Sequence, residues 1–600
     1  MNCMKLMTAF MPVSEASYKT VQERLKCQTL EALLFEEIIP VTKNGKHYSF
    51  QGQNVQGETV LYTCEVVEKW SFGRVKVKPN SIQRDGDTNV SIYTFLEEVV
   101  QQTLDGQHTK TFVQELLETF VKDSQAKSNQ PPSIPAEDLH YEALESHMID
   151  GHPYHPSYKS RVGFTLADNH LYGPEFNQDI ALTWLAVRRH FVDIAVLEPT
   201  AINEMYQHHL QPEELAHFTQ QLRAQIDEDE QAYVFLPVHP WQFEHIIATV
   251  FYPQIADKTI IILGKSESSY RAQQSIRSLS NRHSAQASYL KLPLSITNTS
   301  TSRILAHHTT QNAPIISAWL DRVIKSDEYL KNCQFEILKE TIGVSFRYQK
   351  LSVMQYAVAY GTLGVIHREN IAQYLQEDEQ AWPLNALMHK QKNGEAFIQQ
   401  AIALYGVEKW SRALIETLVT PIVHLLYVHG IALESHAQNI ILVLKNNFPH
   451  RIIIKDLHDG VRFCSSELLH PEWEPKLNPE PATHRQFNRY SFLKTAKVSE
   501  VRDYTFDAFF FICMTELCFT LEEFGLREED FWRTCTEVIL AYQQQHPQYK
   551  ERFQTFDLFA ADALIEEMTK RRIYGDQTLY FRKAQNPLLQ ALEFLKNEEK

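Results

Sequence analysis

Apolar positions change their period several times along the chain, and each change predicts a different element. From about Val13 to Ile39 they recur at helical spacing, which predicts an amphipathic helix. Alternation follows in "ETVLYTCEVVE" and "FGRVKVKPNSI" and predicts antiparallel strands with one solvated face. Helical spacing returns in "YTFLEEVVQQTL" and "KTFVQELLETFVKD". The stretch "SNQPPSIPAED" (Ser128 to Asp138) then predicts a boundary, because proline lacks an amide donor and clashes with the preceding turn. The middle third mixes short strands ("AYVFLPVHP", "TIIILG", "YLKLPLSITNT") with long polar helices. The last third is mostly helical, with one strand-rich insert from Gly430 to Gly460. The pattern predicts an α+β chain in three lobes, which we place at 1–135, 136–375 and 376–600.

Composition narrows the function. With 44% hydrophobic and 22% charged residues the chain reads as an ordinary globular protein. A net charge of -16 and the lack of a basic stripe exclude a general nucleic-acid binder, which needs clustered phosphate contacts. The opening "MNCMKLMTAFMPVSEASYK" lacks the continuous apolar region of a secretory signal. "TFDAFFFICMTELCFTL" (Thr505 to Leu521) is interrupted by Asp507 and Glu516; it predicts a buried helix, too short and too charged to span a bilayer. The cysteines at 3, 27, 64, 333, 464, 513, 518 and 535 form no CxxC pair, which fits reduced thiols in a cytoplasmic protein.

Five stretches combine polar chemistry with turn residues, and each alone also fits an ordinary loop or strand end. "GHPYHPSYKSRVGF" carries Lys159 and Arg161 in a turn that suits phosphate. "FLPVHPWQ" ends an apolar strand in a His and Trp that fit a structural role. "QQSIRSLS" sets Ser275, Arg277 and Ser278 together as a polyphosphate grip. In "YLKLPLSITNTSTSR", Lys291 interrupts an apolar strand, where an unpaired ammonium is costly. Its hydroxyl run, with Thr297, Thr299 and Thr301, then precedes Arg303 and suits a carboxylate ligand.

The fifth stretch is "ALESHAQNIILVLKNNFPHRIIIKDLHDG". Alternation predicts Glu434, His436 and Gln438 on one side of an extended segment, with Asn439 next and Asp456 at the end of a second strand. Glu434, Asn439 and Asp456 offer the oxygen donors that Mg²⁺ prefers. His436 can hold an anion or move a proton. Such a set is compatible with a kinase-like phosphotransferase or with a ligase that activates a carboxylate by adenylation. A kinase places its base Asp one or two positions past the loop His, where this chain has Ala437 and Gln438. It also lacks a G-x-x-x-x-G-K-[ST] or G-x-G-x-x-G loop. A ferric-siderophore binding or reducing protein would need a thiolate cluster, and Cys513 and Cys518 are too few.

Taken in order, "GHPYHPSYKSRVGF", "VHPWQ", "SIRS", "KLPLSITNTSTSR", "GVIHREN" and "ALESHAQNIIL…KDLHDG" resemble the IucA/IucC-type siderophore synthetases, the NRPS-independent family. The tail "TKRRIYGD" with "NPLL" is similar to the subgroup containing the petrobactin-pathway condensing enzyme. The resemblance implies a cupped-hand fold of thumb, fingers and palm, usually dimeric. It implies ATP- and Mg²⁺-dependent adenylation of citrate or a citryl monoamide, then condensation with a polyamine- or diamine-derived amine. By motif, Ser275, Arg277 and Lys291 should hold ATP phosphates, with Ser278, Lys159 and Arg161 as weaker candidates. Gln438 should meet the nucleotide, and Glu434, Asn439 and Asp456 the metal or nucleotide. Arg303, a threonine of the 297–301 run and His436 should face the acid. The family's usual H-G-Q-N reads His-Ala-Gln-Asn here, so Ala437 adds a methyl group where the ligand could approach.

Overall fold

A computed structural model describes residues 13–135, 138–199, 205–206, 208–299, 301–482, 484, 493–575 and 578–598. Helix and sheet are mixed throughout, as the changes of period predict. The first helix, Glu15–Phe35, is capped by Ser14, whose hydroxyl accepts the Ser17 amide. It packs on the helix Thr109–Ser128 and beside an antiparallel sheet whose strands include His47–Gln53 and Thr59–Glu68. Alternate residues of Thr59–Glu68 are buried, the one-faced burial that the alternation requires. Residues 129–135 carry no regular element.

The N-terminal segment shares its core with the end of the chain. The Phe35 ring stacks on Phe511 with centres 5.5 Å apart, and Phe72 meets Phe511 and Trp532 edge-on. Arg74 and Glu516 form a buried ion pair at 2.5 Å. One hydrophobic cluster accordingly extends from Val21 to Ala591. Glu36 closes the seam: its fully buried carboxylate accepts hydrogen bonds from Tyr154 Oη (3.0 Å), Thr569 N (3.1 Å) and Lys570 N (2.7 Å).

Burial raises the Glu36 carboxyl from 4.5 to about 7, in spite of those three donors. A folded value above the unfolded one means that the stabilising contribution is complete below pH 4.5 and is lost as pH rises towards 7. Glu36→Gln should flatten this slope. Urea unfolding between about pH 5 and 8 should show the wild type losing about 2–3 kcal/mol relative to the variant. Parallel curves for the two proteins would contradict the assignment.

The middle of the chain forms an eight-stranded sheet, antiparallel throughout. Its order is Val192–Val196, Glu340–Phe346, Gly364–Arg368, Tyr289–Lys291, Ser278–Asn281, Ile260–Ala272, Ile180–Arg188 and Tyr233–Val238. A second cluster, drawn from residues between Ile180 and Val365, fills this sheet. The helix His307–Ser326 lies against Glu340–Phe346 so closely that a Cβ on Gly343 would fall 1.9 Å from Thr310 O.

The last third is helical around two smaller sheets and the antiparallel strand pair Asp562–Glu566 and Phe581–Gln585. One runs Glu336–Ile337, Phe448–Ile454, Ile440–Lys445, Glu379–Pro383, and the other Ile431–Leu433, Val461–Cys464, Lys494–Thr495. The apolar stretch expected as a short buried helix is part of a longer run, Val498–Glu522. With Val407–His429 it is long and apolar enough to cross a membrane, yet each is 72% buried within the molecule over its most apolar window. The extension arises because residues 498–505 continue the helix against Ile431–Leu433 and Val461–Cys464.

Candidate active site

The end of the eight-stranded sheet meets the two smaller sheets at Asp456. The strand Phe448–Ile454 ends two residues earlier, and Asp456 turns the chain in a left-handed conformation, φ 64°. Its Oδ1 lies 3.1 Å from Lys291 Nζ and 2.5 Å from Arg368 Nη1, two cations on adjacent strands. Against the cost of burial, Lys291 and Arg368 hold the Asp456 carboxyl well below the usual range. Desolvation in turn lowers the Lys291 ammonium. The buried-strand lysine thus has the partner that its sequence position demands.

The segment before Asp456 wraps over the same cavity. Glu434 and His436 lie in irregular backbone and Gln438 and Asn439 in a turn, which corrects the extended segment expected from alternation. The physical reason is a change of partner: Ile431–Leu433 belongs to one sheet and Ile440–Lys445 to another, so the chain must cross between them. Exposure still alternates, with 434, 436 and 438 partly open and 435, 437 and 439 buried. Glu434 N donates to Gly460 O at 2.7 Å, and a Cβ at Gly460 would lie 2.3 Å from Asp456 O, so glycine is required to close this corner. Asn439 Nδ2 donates to Glu434 Oε2 at 3.3 Å. Burial lowers the His436 pKa and so favours its neutral ring. Ala437 has no left-handed backbone, so an L-residue fits there without strain.

Across the cavity stand Ser275, Arg277, Asn298, Thr299 and Arg303. Arg277 Nη1 donates to Ile304 O (2.5 Å), and Arg303 Nη2 to Asn298 O (3.1 Å). Arg303 Nε is buried without a hydrogen-bond partner, and desolvation lowers this guanidinium to about 10. A donor so placed is unsatisfied until an anion arrives.

Other expected residues are placed differently. Ser278 pairs in register with Lys291 and does not line the cavity; its hydroxyl is buried, and its amide donates to Ser275 Oγ. Thr297 spends its backbone on Val162, leaving Asn298 and Thr299 on the wall. Thr301 opens the strand Thr301–Arg303, and its side chain and Ser300 lie outside the described residues. Lys159 and Arg161 reach the wall, but carboxylates already match their charges. Lys159 Nζ is 2.7 Å from Asp123 Oδ1, and Arg161 forms a two-pronged pair with Glu175, 3.0 Å on each side. Both cations therefore reach the wall as members of buried ion pairs.

Sequence reasoning missed three members of the site. Arg368, within "GVIHREN", carried the same signal as Lys291, a cation in an apolar strand. His458 gives Glu340 both its backbone amide (2.9 Å) and an Nδ1 contact (2.8 Å), and its Nε2 is buried without a hydrogen bond. Asp459 Oδ1 is likewise buried and unpartnered in the lining of the cavity. No local pattern in "KDLHDG" distinguishes these two from surface polar residues.

This arrangement of cations around a buried acid invites comparison with known proteins. The model of the IucA / IucC family matches residues 140–389. A 2-[(L-alanin-3-ylcarbamoyl)methyl]-3-(2-aminoethylcarbamoyl)-2-hydroxypropanoate synthase of Staphylococcus aureus (strain NCTC 8325 / PS 47) is 37% identical over 586 residues, 96% of this chain and 94% of its own. The chain belongs to the IucA/IucC family. A citryl-spermidine/3,4-dihydroxybenzoyl-citryl-spermidine:spermidine ligase of Bacillus anthracis is 34% identical, covering 96% of this chain and 95% of its own. The crystal structure of petrobactin biosynthesis protein AsbB from Bacillus anthracis str. Sterne matches 100% of both chains at 32% identity with a TM-score of 0.90. Like its relatives, this IucA/IucC-family protein is a ligase of siderophore biosynthesis.

Residues 408–579 also match the model described as ferric iron reductase FhuF-like transporter. Iron-sulfur ligation needs clustered thiolates. The cysteines of this segment, 464, 513, 518 and 535, are all buried, and burial raises the thiols of 513, 518 and 535. No cysteine belongs to a metal-ligating group among the described residues. Among the described residues, this segment thus presents no thiolate cluster of the kind that iron-sulfur ligation needs.

Proposed function

We propose that this ligase adenylates a carboxylate of citrate, or of citrate already substituted on one arm, and condenses it with a polyamine- or diamine-derived amine. AMP and pyrophosphate leave. The observation that carries this reading is the cationic lining of one cavity: Lys291 beside Asp456, and Ser275, Arg277 and Arg303 on the facing wall, Arg303 with an unsatisfied Nε. We assign Lys291, Arg277 and Ser275 to the ATP phosphates and Arg303 to a tricarboxylate, so that two anionic substrates are held together. Both relatives named above are described as acting on, or forming, citryl-type amides.

In this reading Arg303, Thr299 and the His436 ring orient the acid so that one carboxylate oxygen reaches the α-phosphorus, a gain of proximity and alignment. Gln438, in the cavity lining, is assigned to the nucleotide. Lys291 and Arg277 offset charge on the departing pyrophosphate. The amine nitrogen then attacks the activated carbonyl carbon, and AMP departs. No side-chain nucleophile is needed.

Mg²⁺ fits the donor set. Glu434, Asn439 and Asp456 supply oxygens, and the half-buried Asp459, whose Oδ1 has no hydrogen-bond partner, adds a further carboxylate to the lining. Asp456 is already matched by two cations, which suits an ion shared with phosphate and water better than a closed protein cage. When bound, the ion would supply charge neutralisation to the phosphates. The reading also takes 1–135, 136–375 and 376–600 as thumb-, finger- and palm-like lobes of a cytoplasmic homodimer. The confinement of the large sheet to 180–368 supports the middle lobe.

The test is the product. With ATP, Mg²⁺, citrate-type acids and a panel of di- and polyamines, mass spectrometry should find an amide together with AMP and pyrophosphate. ADP with a phosphorylated small molecule would overturn the proposal in favour of a phosphotransferase.

A further inference from the structure

A second cluster of metal-ligating side chains lies away from the cavity, where the helix Val407–His424 runs into a π-helical turn, Leu425–His429. His424 and His429 are five positions apart. In a regular α-helix that spacing would set them about 140° apart around the axis. The i→i+5 bonding of a π turn removes most of that angle and brings both rings to one face. Both Nε2 atoms converge on a single oxygen, Asp327 Oδ2, at 3.0 Å from His424 and 2.9 Å from His429. The three ligand atoms lie within 4.8 Å of one another, and both histidines are buried.

Each of two ligands is fixed from behind. Asp327 Oδ1 accepts the Leu330 amide at 2.9 Å, so Oδ2 alone is turned toward the two histidines. His424 Nδ1 lies 2.8 Å from Tyr542 Oη, and Tyr329 stacks on its ring at 4.4 Å. In the metal-free protein Nε2–H donates to Asp327 Oδ2 and Nδ1 accepts the Tyr542 hydroxyl proton. An ion would displace the Nε2 proton, and the ring could then give Nδ1–H to the tyrosine oxygen while Nε2 ligates. Outer hydrogen bonds of this kind orient the ligands of metal sites. His546 adds a further imidazole to this corner: its ring centre is 6.3 Å from that of His424, and its Nε2 is buried without a hydrogen-bond partner.

We propose that Asp327, His424 and His429 form a second, non-catalytic site for a divalent transition-metal ion of the Zn²⁺ class. Two neutral imidazoles and one carboxylate are a donor set for such ions, not for Mg²⁺, which prefers an all-oxygen shell. The ion would tie the start of the helix Glu328–Asn332 to the end of Leu425–His429. Gly430 then turns the chain, φ 68°, into the strand Ile431–Leu433 that delivers Glu434 to the active site. The role is to brace that approach. The inference does not depend on the adenylation reading.

The test uses the full-length protein freed of metal by a chelator that is then removed. Zn²⁺ is titrated in competition with a chromophoric chelator, and thermal melting is followed with and without Zn²⁺. One equivalent should bind with submicromolar affinity and raise the melting midpoint by several degrees. Asp327→Asn keeps a side-chain oxygen for the Leu330 amide, and so keeps the helix cap. It should bind at least about 100-fold more weakly and lose the Zn²⁺-dependent shift, while its metal-free midpoint stays close to the wild type. His429→Gln serves as an independent second variant. X-ray absorption of the loaded wild type should show two imidazoles and oxygen around the ion. Absence of stoichiometric binding overturns the proposal. So does binding that survives both variants, or that disappears in Asp456→Asn instead, which would assign the ion to the active site.

Discussion

Replacing Lys291 by methionine should lower kcat/KM for amide formation by about 10²–10³-fold while the protein remains folded. The size follows from the position of the ammonium. It is almost wholly buried, 5% exposed, and 3.1 Å from Asp456, in a cavity where water screens little. A cation fixed there acts on phosphate charge without reorganising during the reaction. Methionine preserves the volume of the side chain, and Arg368 remains at 2.5 Å to neutralise Asp456, so no buried carboxylate is left alone. The loss should appear equally in ATP–pyrophosphate exchange and in amide formation. An active variant, or one impaired only in the amine-dependent step, would remove Lys291 from the phosphate grip.

The second large effect concerns stability. Glu175→Ala should cost about 3–5 kcal/mol, because it strands Arg161, a buried guanidinium, beside the equally buried Lys159. The melting midpoint should fall by several degrees. Changing both partners, Arg161→Met with Glu175→Leu, should restore much of that loss, since an apolar pair of similar volume can replace a buried ion pair. The double variant also separates structure from function at this wall. If Arg161 serves only the ion pair, ATP affinity should be close to wild type. A folded double variant that no longer binds ATP would return Arg161 to the phosphate site.

Several parts of the site were legible in the sequence, each for a local reason. Lys291 stood out because an ammonium in an apolar strand demands a partner, and the partner exists. The phase of exposure at Glu434, His436 and Gln438 was readable from alternation even though no strand forms there. Arg368 carried the same signal as Lys291 and was quoted only as part of a motif. Lys159 and Arg161 show what local spacing leaves out. Their spacing suited phosphate, but Asp123 and Glu175 come from other segments and claim both charges. Local pattern records a cation and says nothing about which distant carboxylate will reach it.

The sequence by itself determined the coarse succession of helical and strand-rich stretches, the net acidic charge, and the set of polar residues too costly to bury without a task. These follow from period, charge and desolvation, which act within a few residues of each position. Only the tertiary structure decided which of those residues face one another. It joined Asp456 to Lys291 and Arg368 across 165 and 88 positions of chain, tied the end of the first helix to Thr569 and Lys570 through Glu36, and gathered His424, His429 and Asp327 at a π turn. Pairings at such separations depend on how sheets and helices pack, and packing is set by the whole core at once.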